Sequence, residues 1–190
     1  MEFLIIGSFG RVGFQLCRLL LEEGYPVQHV GIVDHWMDED LEEKRMWVER
    51  NSNFSDYQPG TPLVEESKIL LPVSDWSNTE KTILEETVIG FLLDQGKREP
   101  NIISFSIFAE DGDQWAQRFY NELKEKISLH QLLVYPKAEC VLERTLEKDN
   151  PVFQWLLSII TSSENGIFHF KGSGQQGRRE KDAEIREAKN

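Results

Sequence analysis

Three glycines, at positions 7, 10 and 13, separate the apolar run FLII at 3–6 from a leucine-rich stretch that ends at Gly24. Glycine loses the most backbone freedom on folding and brings no side chain to pack, so three of them close together mark a place where bare backbone is needed. The flanks say what kind of place it is. FLII reads as a strand, and Val12, Leu16, Leu19 and Leu20 fall at i, i+4, i+7 and i+8, one apolar stripe of a helix, with Gly24 at its C-cap. A strand running through glycines into a helix points unpaired N–H groups and the positive end of the helix dipole at one spot, where an anion is stabilised. A dinucleotide's pyrophosphate suits that spot: Gly7 makes the turn, Gly10 lets phosphate approach the backbone, and Gly13 lets the helix lie close on its strand. Ser8, Phe9, Arg11 and Val12, between the glycines, complete the expected cradle. The alternative is that the glycines serve turn and packing alone.

A second apolar run, 27–34, ends in Asp34. A carboxylate there accepts hydrogen bonds from both ribose hydroxyls of an adenosine and repels a 2′-phosphate, which favours NAD. Arg11 in the glycine loop can attract an additional phosphate and keeps NADP as the alternative.

Strand-like and helix-like segments alternate along the rest of the chain, the pattern of an α/β protein with a parallel sheet and helices on both faces. Further strands are expected at 68–74, 101–107, 131–135 and 167–170, most of them continuous apolar runs suited to a sheet covered on both sides. Ser77 and Glu80 form a capping box ahead of a stripe of Leu84, Val88, Phe91 and Leu92, and Asn150-Pro151 opens another over Phe153, Leu156, Ile159 and Ile160. The stretch 51–67 reads as a polar loop. Residues 1–170 are expected to form one domain, and 171–190, poor in apolar residues, a disordered tail.

Composition narrows the partners. A formal net charge of −12 repels nucleic-acid backbones, no apolar run is long enough to span a membrane, and no signal-like start precedes the first strand, so a cytoplasmic protein is expected. Cys17 and Cys140 read as buried thiols, and the histidines at 29, 35, 130 and 169 are too dispersed for a metal site. The acidic stretch between Trp36 and Trp47 reads as a solvated helix face.

The GxxGxxG spacing after an N-terminal strand resembles that of the short-chain dehydrogenase/reductase superfamily, particularly its extended, epimerase-like branch. YNELK supplies that family's YxxxK as Tyr120 and Lys124, SFSIF resembles its serine strand, with Ser106 or Ser104 in the role, and NGIFHFKGSG is similar to the strand and turn after its core. The resemblance implies a Rossmann-like doubly wound fold, NAD as cofactor and an unidentified carbonyl or sugar-nucleotide substrate; a homodimer is compatible with it. It also implies that the lysine lowers the phenol's pKa, the phenol moves a proton and the serine holds the substrate oxygen, while hydride transfer belongs to the nicotinamide. Tyr120 and Lys124 read equally well as an aromatic at the edge of the Trp115/Phe119/Leu123 stripe and a solvated lysine.

The chain departs from the family in three respects. Between Asp34 and the serine strand only one strand–helix unit is legible where the family has two, so Asp75 either matches the adenine-contacting acid or closes the next strand along. The alanine- or asparagine-rich turn beside the nicotinamide is not visible, and after LLVYP the chain lacks the length of a substrate-binding subdomain. Two functions follow: a small NAD-dependent oxidoreductase or epimerase, or a catalytically inactive dinucleotide-binding sensor or protein-interaction module.

Overall fold

The computed structural model describes residues 1–31, 41–58, 60–61, 67–77, 79–83, 85–86, 104–125, 129–135, 151–170 and 179–180. β1 (Glu2–Ile6) passes through the glycine turn into α1 (Arg11–Glu22), followed by β2 (Val27–Val30), α2 (Leu41–Val48) and β3 (Phe54–Asp56). The chain then forms β4 (Ser67–Pro72), a 3-10 turn (Val73–Asp75), β5 (Ser104–Glu110), α3 (Gln114–Lys124) and β6 (Leu129–Tyr135). It ends with α4 (Pro151–Ile160), β7 (Gly166–His169) and β8 (Arg179–Glu180).

The strands form one sheet in the order β3-β2-β1-β4-β5-β6-β7-β8, the first seven parallel and β8 antiparallel at the edge. This is the Rossmann-like α/β architecture expected from the sequence. The chain winds outward from β1 to β3 and then returns to lay β4 on the other side of β1. Such a reversal opens a crevice at the carboxyl ends of the two central strands, and here the glycine turn and the Val73–Asp75 turn flank it.

Side-chain alternation sends each strand's residues to two separate cores. Phe3, Ile5, Leu70, Phe108 and Leu133 pack with the apolar stripe of α1 and with Leu156, Ile159 and Ile160 of α4. Leu4, Ile6, Ile69, Leu71, Phe105, Ile107, Leu132 and Val134 pack on the opposite face with Ala116, Phe119, Tyr120 and Leu123 of α3. Burial on both faces explains the unbroken apolar runs.

Several boundaries shift from the sequence expectation. β4 ends at Pro72 and tightens into a 3-10 turn, β5 spans Ser104–Glu110, and β6 begins at Leu129. Within the stretch read as a polar loop lies β3, which among the described residues pairs with β2 alone, at the edge of the sheet; Phe54 is partly buried, and Ser55 and Asp56 are exposed. An edge strand of three such residues has no apolar run to betray it. It supplies the additional strand between β2 and KILLP, so KILLP is the fourth strand. Of the predicted tail, only Arg179–Glu180 falls among the described residues.

Local signals hold where they can be checked. Gly24, at φ +84°, follows the C-cap residue of α1. The capping box has both its bonds, Ser77 N donating to Glu80 Oε2 at 2.6 Å and Glu80 N donating to Ser77 Oγ at 3.3 Å.

One buried polar group joins β5, β6 and the end of α4. Gln131 accepts from Ser106 Oγ at 2.8 Å, and its amide nitrogen donates to the carbonyls of Ile159 at 2.9 Å and Glu164 at 2.8 Å. Lys68, buried on β4, adds an ammonium donating to the Ser162 carbonyl at 2.6 Å. Replacing Gln131 by Leu keeps the volume and strips these groups of their partner, so urea denaturation should register a loss of about 3 kcal/mol, against about 1 kcal/mol for Ser106→Ala.

Candidate functional site

The glycine turn is built by close approach. Gly7 adopts φ +84°, a left-handed conformation that costs a side-chain-bearing residue about 1–2 kcal/mol, and its carbonyl accepts from Gly10 N at 3.1 Å. A Cβ on Gly13 would lie 2.2 Å from the Gly7 carbonyl oxygen, so α1 can rest on the end of β1 only as long as that position is bare. This is the role that the sequence assigned to Gly13.

Gly7 and Gly10 make room for the protein itself. A Cβ on Gly7 would lie 2.3 Å from Trp76 Cζ2, and one on Gly10 2.6 Å from Asp75 Oδ2. Asp75 reaches from the turn after β4 to the N-terminus of α1, where its carboxylate accepts from Val12 N at 2.8 and 3.0 Å and from Gly13 N at 2.9 Å. No side chain on α1's own N-cap residue makes such a bond. Burial pushes the Asp75 carboxyl above its ordinary range, against the opposing pull of those two N–H groups and of Arg11 and Lys44.

Ser8 and Phe9 turn inward, and Arg11 is exposed. Ser8 Oγ shares a hydrogen bond of 2.5 Å with His29 Nδ1 on β2, and the Phe9 ring lies 4.6 Å from the His29 ring, centre to centre. These contacts tie the loop to β2. Desolvation lowers the His29 pKa from 6.5 to about 4, outweighing the pull of Asp56, so the ring is neutral. Burial pushes the Cys17 thiol up to about 12, which leaves it an unreactive core group. Asp34 and Cys140 lie outside the described residues.

Tyr120, Lys124 and Ser106 are not brought together. Tyr120 is fully buried in the core beneath α3, its ring edge-on to His130 near the start of β6, whereas the glycine turn lies at the strands' opposite ends. Lys124 is exposed. Ser106 points to the other face of the sheet, bonded to Gln131, and Ser104 Oγ donates to the Ser67 carbonyl at 3.4 Å. The sheet therefore stands between the serine and the tyrosine. Tyr120 sits among Phe119, Leu123 and Leu132 as an aromatic of the apolar stripe.

A cavity of about 270 Å³ does open beyond the carboxyl ends of β5, β6 and β7, with Glu110, Asp113, Gln117, Val134 and His169 in its wall. Neither Tyr120, Lys124 nor Ser106 lines it. Its floor is braced by Asp113, which caps α3 by accepting from Ala116 N at 3.1 Å and pairs with Lys81 at 2.7 Å. Among the described residues no three His, Cys, Asp or Glu side chains converge as a metal site, and no helix is long and apolar enough to cross a membrane.

Trp76, His29, Gln131 and Lys44 were not singled out as site residues from sequence. Trp76 follows Asp75 in the chain and had no motif to mark it. The Ser8–His29 bond depends on β2 lying beside β1, a pairing that local patterns do not encode.

No family model matches the chain, and no curated protein matches it in sequence. Solved structures do. The chain is similar to the Lmo0794 protein from Listeria monocytogenes, at 11% identity over 90% of this chain and 100% of that one, with a TM-score of 0.54. A carbonyl reductase from Pseudomonas aeruginosa PAO1 aligns at 10% identity over 93% of this chain and 100% of that one, with a TM-score of 0.48. At such identities the likeness to Lmo0794 is one of fold.

Two measurements test this geometry. In an ordinary helix Gly→Ala is favourable by roughly 0.5–1 kcal/mol, but Gly13→Ala should cost about 2 kcal/mol in chemical denaturation because the methyl meets a backbone oxygen. His29, neutral when folded, takes a proton more readily once unfolded. The His29 contribution to stability should therefore be full above pH 6.5 and be lost as the pH drops from 6.5 toward 4, and His29→Gln should flatten the slope across that window.

Proposed function

We propose that this chain is a non-catalytic dinucleotide-binding module, a sensor or interaction protein rather than a dehydrogenase. The observation that carries this reading is the placement of Ser106 and Tyr120 on opposite faces of the sheet. Proton transfer to a substrate oxygen needs donor and holder within hydrogen-bond reach of one atom, and a sheet between them prevents it. Lys124, the third member, is exposed to solvent.

Binding is supported by what the fold retains. The glycine turn lies at the reversal of strand order, α1 begins with N–H groups aimed at an anion, and Arg11 and Lys44 act electrostatically on the group now held there. NAD is the ligand this reading favours, with Asp34 on its adenosine ribose, and NADP is the alternative through Arg11.

Calorimetry with NAD, NADH, NADP and NADPH tests the binding half. Heat of binding for NAD or NADH is expected, and a folded protein indifferent to all four would sink it. The catalytic half is tested by following NADH absorbance with a panel of aldehydes, ketones and sugar nucleotides. The rate should stay at background; turnover that drops roughly 10²-fold in Tyr120→Phe would restore the enzyme reading.

A further inference from the structure

We draw no further inference here: the strongest candidate, the hollow of about 270 Å³ beyond the carboxyl ends of β5, β6 and β7 with Glu110, Asp111, Asp113 and His169 in its wall, rests on a cluster of acidic side chains, and no second observation among the described residues points to a ligand that would fill it.

Discussion

The bond between the Asp75 carboxylate and the first N–H groups of α1 joins the two halves of the sheet at their one point of reversal. α1 belongs to the half that winds outward through β2 and β3, and Asp75 to the strand that returns beside β1. Bonds from backbone N–H to a carboxylate are stronger than those between neutral groups and cost more to leave unmade in a shielded place. Gly13 against Gly7, Trp76 against Gly7 and Phe9 against His29 are packed around that junction. The turn is therefore held from both sides of the crevice.

The second organising fact is that the sheet divides the molecule. One face carries α1, α4 and the polar ties of Gln131 and Lys68, and the other carries α3 with Tyr120 in its core. Residues one position apart on β5 therefore belong to different environments: Phe105 and Ile107 touch the layer beneath α3, and Ser106 serves the layer beneath α4. Ser106 and Tyr120 are therefore held apart by the sheet. What remains open to solvent at the carboxyl ends of β5 to β7 is an acidic hollow with His169 in its wall.

Much of the fold was legible because it is written locally. The apolar stripe of α1, the Ser77–Glu80 capping box, Gly24 and the alternation of strands with helices all depend on residues within a few positions of one another. β3 was not legible, since an edge strand of one half-buried and two exposed residues lacks an apolar run. The site was legible only as a glycine spacing. That Asp75 fills it follows from β4 lying next to β1, a consequence of crossover topology rather than of sequence spacing. The tyrosine–lysine spacing, likewise, says that two side chains share a helix face but not which way that face looks, and here the tyrosine looks into the core.

The contacts around Gly7, Gly10 and Gly13 change what such a spacing means. A backbone oxygen, an indole ring and a carboxylate of the chain itself stand where three side chains would begin. A side chain at any of these positions would cost stability whether or not a nucleotide binds. The signature can thus outlive the activity it is used to diagnose, and its persistence in a divergent sequence measures the tightness of a turn.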